Sequence, residues 1–242
     1  MDKYGIIGNP LGHSFSRGFF TEKFAKEGID AQYLNFQIPD INMFPEVLKE
    51  NPELRGLNVT LPYKTEVIPF LDELSDEARE IGAVNVVQIR NGHLKGFNSD
   101  IIGFTQSIQP LLKPHHRKAL ILGTGGASKA IRVGLTRLGL EWKYVSRTPD
   151  KGMFSYDDIT AEILREYEVV VNCSPVGMFP KTDKCPALPY EHLTKDNLLY
   201  DLVYNPETTL FMQRGAEQGA IVKNGLEMLY LQAIASWKFW NE

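Results

Sequence analysis

Cysteine is scarce: Cys173 and Cys185 are the only two in 242 residues, too few and too ill-spaced for a disulfide framework or a zinc site. Cys173 closes the apolar run Val169-Val170-Val171-Asn172-Cys173, where a thiol packs as a small core residue. No run of 18 apolar residues occurs and no basic segment leads into an apolar one, so neither a membrane span nor a secretory leader is expected. A reduced cytoplasmic setting follows as the expectation. Positive charge is also short, with 26 Lys and Arg against 30 Asp and Glu, a net charge of -4. The nearest approach to a basic run, Lys113-Pro114-His115-His116-Arg117-Lys118, reads as a solvated loop ahead of a strand, and no nucleic-acid partner is expected. His93, His115, His116 and His192 have no ligand spacing, so no metal is expected, and His13 reads as a residue that shapes its loop. Sequence repeats and low-complexity segments are missing as well.

What is present is an α/β pattern organised around Leu120-Ile121-Leu122-Gly123-Thr124-Gly125-Gly126-Ala127-Ser128. A buried strand runs into a glycine-rich turn that opens a helix carrying Ala127, Ala130, Ile131, Gly134, Leu135 and Leu138 on one stripe. Such a turn brings backbone close to a phosphate and aims free N–H groups and the helix dipole at it. It is the nucleotide-binding turn of a Rossmann-type unit, with Ser128 in the third small-residue place, although plain α/β cores carry similar glycines. Around it, strands are predicted at 3–8, 31–37, 56–60, 119–122, 141–146, 168–173 and 197–202. Helices are predicted at 16–26, 41–49, 64–71 (interrupted near Pro69), 99–112, 126–138, 156–166, 208–218 and 225–240. Ser75 caps a further short helix, and Asn91-Gly92 supplies the positive φ angles of a two-residue hairpin turn between 83–90 and 93–97. Residues before about 100 are irregular α/β and those after it nearly periodic, which places a domain boundary near residue 100.

Two constellations carry chemistry. The strand after the glycine turn ends in Ser146-Arg147-Thr148, with Lys151 three residues on. NAD-binding units place a carboxylate there for the ribose 2′-hydroxyl. Cations and hydroxyls without an acid suit a 2′-phosphate instead, so NADP is expected over NAD, the bland alternative being a solvated basic loop. In the first half, Asn58-Val59-Thr60-Leu61-Pro62-Tyr63-Lys64 sets Asn58 and Thr60 on one strand face. Lys64 is expected to begin the next helix, against the preference of the dipole. A lysine there is more often a surface charge, and Asn85 and Asp100 stand at strand ends where they could face it.

Taken with Gly8-Asn9-Pro10-Leu11-Gly12-His13-Ser14-Phe15-Ser16, Gly82-Ala83-Val84-Asn85, Asn98-Ser99-Asp100, Asn172-Cys173-Ser174-Pro175-Val176-Gly177-Met178, Asp201-Leu202-Val203-Tyr204-Asn205-Pro206 and Gly225-Leu226-Glu227-Met228-Leu229 with Gln232, these motifs make the chain resemble the NADP-dependent shikimate dehydrogenases over nearly its whole length. The resemblance implies two α/β domains facing a cleft: a substrate domain, 1–100 plus 226–242, and a Rossmann-type NADP-binding domain, 101–225. It implies reversible reduction of 3-dehydroshikimate to shikimate by NADPH, in aromatic amino acid and chorismate biosynthesis, by a monomer or homodimer. Ser14 and Ser16 would hold the substrate carboxylate. Thr60, Asn85, Tyr204 and Gln232, with Asn58, would meet the ring hydroxyls and carboxylate, and Lys64 and Asp100 would form the catalytic pair. Gly123, Thr124, Gly125, Gly126, Ala127, Ser146, Arg147, Thr148 and Lys151 would hold the diphosphate and 2′-phosphate. Leu202 and Gly225 would line the nicotinamide side, with Met178 nearby.

Several positions depart from the family pattern. Arg17 stands where proline is common, Val86 and Ile101 replace threonine and glycine, Ser99 and Ser174 replace threonines, and Ser146 replaces asparagine. The chain is also shorter than is usual, which trimmed loops would explain. Three other readings fit the pattern less fully: a quinate/shikimate dehydrogenase that uses NAD, a non-catalytic NADP-binding regulatory protein, and a methylenetetrahydrofolate dehydrogenase, for which the serine pair has no purpose.

Overall fold

A computed structural model of the chain describes residues 1–12 and 15–242, so His13 and Ser14, with the carboxylate-binding role expected of Ser14, lie outside the described residues. The chain packs as two units, Met1–Ser99 with Gln232–Glu242, and Asp100–Leu231.

The first unit contains β1 (Asp2–Gly8), α1 (Phe15–Glu27), β2 (Ala31–Gln37), α2 (Phe44–Glu50), β3 (Leu54–Val59), β4 (Glu73–Leu74), α3 (Asp76–Ile81), β5 (Val86–Arg90) and β6 (His93–Phe97). Its six-stranded sheet has the order β2-β1-β3-β5-β6-β4. β1 is parallel to β2 and β3, whereas β5 is antiparallel to β3 and to β6. Asn91 at φ 51° and Gly92 at φ 80° make the tight turn of the β5–β6 hairpin. The Ser75 side chain accepts from Ala78 N–H, capping α3, with Asp76 and Glu77 in the first turn where the dipole favours acids. Alternation along the strands feeds two cores: one gathers Ile7, Phe44, Leu57, Val67 and Val87, the other Tyr4, Phe20, Tyr33 and Trp240. Trp240 anchors the second, its indole N–H donating to Val87 O (3.1 Å) and its ring lying 4.9 Å from Tyr4 and 5.1 Å from Phe20.

The second unit holds α4 (Asp100–Ile108), β7 (Lys118–Leu122), α5 (Gly126–Arg137), β8 (Glu141–Val145), α6 (Ala161–Glu166), β9 (Val169–Asn172), β10 (Leu198–Asp201), α7 (Leu210–Glu217) and β11 (Ile221–Lys223). The start of α8 (Leu226–Asn241) also belongs to it, and the helix continues into the first unit from Gln232. All five strands are parallel, in the order β11-β10-β9-β7-β8. Strands covered on both faces need no polar alternation, hence the continuous apolar runs of β7 and β9. From β7 the chain winds first to β8 and then back to β9, β10 and β11. The reversal falls between β7 and β9, and ligands of open α/β sheets bind beyond the carboxyl ends of the strands at such a point.

Three expectations are corrected. The helix predicted over 64–71 does not form; residues 61–67 are turns and only a 3-10 turn, Ile68–Phe70, follows. One α-type bond closes there, Val67 N–H to Tyr63 O (3.0 Å). Pro69 then has no N–H to offer Thr65, so the helix cannot propagate. Lys64 therefore does not sit in the first turn of a helix, and the dipole argument for it falls. The helix predicted over 156–166 is split, because Ser155 and Thr160 each cap a separate start, a 3-10 turn at Tyr156–Asp158 and then α6. Edge strand β11 was not anticipated at all. Among the described residues no helix is long and apolar enough to cross a membrane.

Candidate active site

In the first unit, the carboxyl end of β3 carries a connected set of polar side chains. Asn58 Oδ1 accepts from the Tyr33 hydroxyl (2.7 Å), and its Nδ2 donates to Ser236 Oγ (2.9 Å). Ser236 donates to the Gln232 carbonyl (2.8 Å) and lies 3.5 Å from Ser99 Oγ. Asn85, buried at 4% exposure, accepts from Ser99 N–H at Oδ1 (2.7 Å) and donates from Nδ2 to Ser99 Oγ (3.0 Å). Burial pushes the Tyr33 phenol up, against the opposing hydrogen bond from Ser16. The fold thus joins Ser16, Asn58, Asn85 and Gln232, which are scattered through the chain, by way of Tyr33, Ser99 and Ser236. Tyr33 and Ser236 were missed from the sequence. Ser236 stands one helical turn beyond Gln232, so i,i+4 spacing was the available signal.

Thr60 follows β3, half-buried, with its N–H on Ile7 O (2.9 Å). Lys64 is half-buried, and its carbonyl accepts from Val84 N–H (2.7 Å). That bond ties its backbone to the residue before Asn85, so Lys64 is held by a pinned turn rather than carried on a mobile surface segment.

In the second unit Asp100 is the first residue of α4 and only 2% exposed. An anion there meets the positive end of the helix dipole. After β7, Gly123 has φ +98°, a left-handed conformation that side chains rarely adopt. Thr124 and Gly125 are exposed, and a Cβ built on Gly125 would meet nothing within 4 Å. That open face adjoins the first turn of α5, in which Ser128 N–H bonds Gly125 O (3.0 Å) and the positive end of the helix dipole points outward. Ser128 is fully buried and donates to Gly125 O (2.7 Å), so the third small-residue place serves packing and turn closure.

The loop after β8 is pinned at its far end, where Phe154 N–H bonds Tyr144 O and Ser146 N–H bonds Phe154 O, both at 2.9 Å. Arg147, Thr148 and Lys151 stand exposed on it. Ser146 is turned inward, its hydroxyl accepting from Thr148 N–H (3.2 Å), so its observed work is to shape the turn that presents Arg147. Tyr204 is half-buried and burial pushes its phenol up. Gly225 lies against the loop after β10: an added Cβ would come within 2.2 Å of Leu202 O. Met178, 45% exposed, follows the turn after β9. An open glycine turn, the N-terminus of α5 and two cations on one loop fit a dinucleotide bearing a 2′-phosphate.

These features define a Rossmann-type nucleotide-binding unit joined in one chain to a second α/β unit with its own polar site. Residues 6–87 match the family model described as the shikimate dehydrogenase substrate binding domain. A shikimate dehydrogenase (NADP(+)) of Carboxydothermus hydrogenoformans is 36% identical over 254 residues, covering 98% of this chain and 90% of its own. Among solved structures, the Aquifex aeolicus shikimate dehydrogenase has a TM-score of 0.88 at 34% identity, covering 99% of this chain and 92% of its own. The Thermus thermophilus shikimate 5-dehydrogenase, solved with NADP(H) and shikimate, has a TM-score of 0.87 at 32% identity, covering 99% and 93%. The chain belongs to the shikimate dehydrogenase family.

Proposed function

We propose that this protein reversibly reduces 3-dehydroshikimate to shikimate with NADPH. The observation that carries the reading is that the similarity to an enzyme solved with NADP(H) and shikimate runs over both units, covering 99% of the chain. NADP, when bound, supplies the hydride in reduction and accepts it in oxidation. The rest is the work of the chain's own residues. Ser14 and Ser16 donate hydroxyl hydrogen bonds to the substrate carboxylate. Thr60, Asn85, Tyr204 and Gln232, with Asn58, orient the ring. As the carbonyl carbon is reduced, its oxygen gains alkoxide character, and the Lys64 ammonium stabilises that charge and gives it a proton. In oxidation Lys64 takes the proton back. Asp100 is the second acid–base group of the pair.

NADPH absorbance followed with and without 3-dehydroshikimate tests the reading. Consumption that depends on the substrate is expected. Tight NADPH binding without consumption would instead make the protein a non-catalytic binder. Assays with quinate and NAD distinguish a broader dehydrogenase.

The cofactor preference is assigned to Arg147 and Lys151. Replacing Arg147 by Ala should cut the ratio of kcat/KM with NADPH to that with NADH by roughly ten- to hundredfold, the worth of a charge-assisted hydrogen bond. An unchanged ratio would remove Arg147 from the 2′-phosphate site.

A further inference from the structure

Asp201, at the carboxyl end of β10, is fully buried, and the groups that hydrogen-bond to it are all neutral. Its Oδ1 accepts from Asn172 Nδ2 (2.9 Å) and Val203 N–H (3.0 Å), and its Oδ2 from the Thr209 hydroxyl (2.6 Å). Asn172, at the carboxyl end of β9 and also fully buried, passes the connection on: its Oδ1 accepts from Ser174 Oγ (2.6 Å) and Ser174 N–H (3.1 Å). Ser174 in turn lies against the glycine turn, with its Cβ 3.5 Å from where a Cβ on Gly123 would stand. On the other side, Val203 O accepts from Gly225 N–H (3.2 Å). One side chain is thus wired to the segments that follow β7, β9 and β10 and to the start of α8.

A buried charge without a cation is costly to keep. A stabilising role alone would often be met as well by well-packed apolar groups. Here the acceptor-only carboxylate is what lets three donors converge: a proton, or an amide in its place, puts a further hydrogen among them. We propose that Asp201 is a positioning residue of the cofactor site, its ionised carboxylate holding the loops after β9 and β10, through Asn172 and Val203, in the conformation that receives the dinucleotide. The inference rests on the reading of this unit as the NADP site.

Burial raises the Asp201 pKa from 3.8 to about 6 against its three hydrogen bonds. Cys173 and Tyr190 both feel its charge and are pushed upward, first by burial; Asp100 also acts on Cys173, and the Arg214 guanidinium, 5.3 Å from the Tyr190 ring, opposes the shift there. With the folded-state value above the unfolded one, the group's contribution to stability is full below about pH 4 and is lost as pH rises through about 6. Stability and the proposed role therefore run in opposite directions with pH, which separates them by experiment.

The test is the Kd for NADPH of the full chain, without substrate, by fluorescence quenching from pH 5 to 8. Asp201→Asn should bind NADPH about three- to tenfold more weakly at pH 8, the net worth of a lost hydrogen bond. The 2′-phosphate itself titrates in this range but does so for both proteins, so the ratio of the two Kd values is the readout. It should shrink toward one as pH falls through about 6. Ser174→Ala, at a half-buried loop position, should give a smaller loss that Ser174→Thr restores. Equal Kd values for wild type and Asp201→Asn at every pH, or a ratio that does not change with pH, would overturn the proposal. If the wild type itself binds no NADPH, the assignment of the cofactor fails and this inference with it.

Discussion

Lys64→Ala is expected to lower kcat by about 10²–10⁴-fold, the range that general acid–base groups contribute, while the Kd for shikimate changes little. Lys64 is half-buried, and its backbone is held through the carbonyl that accepts from Val84 N–H. Removing the side chain leaves that bond and the neighbouring core residues Tyr63 and Val67 in place. Lys64→Arg refines the result, because guanidinium keeps the charge but does not give up its proton in proteins. If proton transfer dominates, Arg should be nearly as slow as Ala; if charge stabilisation dominates, Arg should recover much of the rate. Turnover near that of wild type in Lys64→Ala would refute the assignment altogether.

Gly225→Ala should be the most disruptive of the small substitutions. The added methyl would sit 2.2 Å from Leu202 O and 2.8 Å from Leu202 C. Both are backbone atoms, so no rotamer change can relieve the clash. Either the loop after β10 or the start of α8 must move, at about 1–3 kcal/mol for overpacking. For a chain of this size that lowers Tm by about 2–4 °C per kcal/mol. Because the loop includes Leu202, proposed to line the nicotinamide, NADPH affinity should fall by more than about tenfold, beyond the effect of a single lost hydrogen bond. Thermal unfolding and fluorescence quenching measure the two effects. Wild-type values in both would mean that the close approach at Gly225 has no bearing on the cofactor.

What could be read from the chain depended on whether the signal was local. β7, β9 and β10 announce themselves as short apolar runs, and the Asn91-Gly92 turn as a dipeptide with one favoured geometry. The 64–71 helix is expected with an interruption near Pro69, and the structure goes further, with no α-helix there although Tyr63, Val67 and Leu71 have helical spacing. They meet a core, but Pro69 ends the first turn. β11 has only three residues, and nothing but its pairing with β10 makes it a strand. The site divides in the same way. The motifs that carry the family resemblance name Asn58, Asn85 and Gln232, whereas Tyr33 and Ser236 matter only because β2 and α8 come together on β3, 25 and 178 residues away from Asn58. Ser146 shows the opposite case: its motif was legible, and the structure turns its hydroxyl into the loop.

Because α8 passes from one unit into the other at Gln232, the first unit is built from both ends of the described chain. Domains generally fold as units while the chain emerges from the ribosome, the N-terminal one first. Here the segment that emerges first cannot finish. Residues 1–99 lack the indole of Trp240 between Tyr4 and Phe20 and the hydroxyl of Ser236 that accepts from Asn58. The cofactor-type unit, by contrast, is contiguous from Asp100 to Leu231. The aromatic core of the substrate-type unit is therefore complete only when the last turns of α8 join residues 1–99.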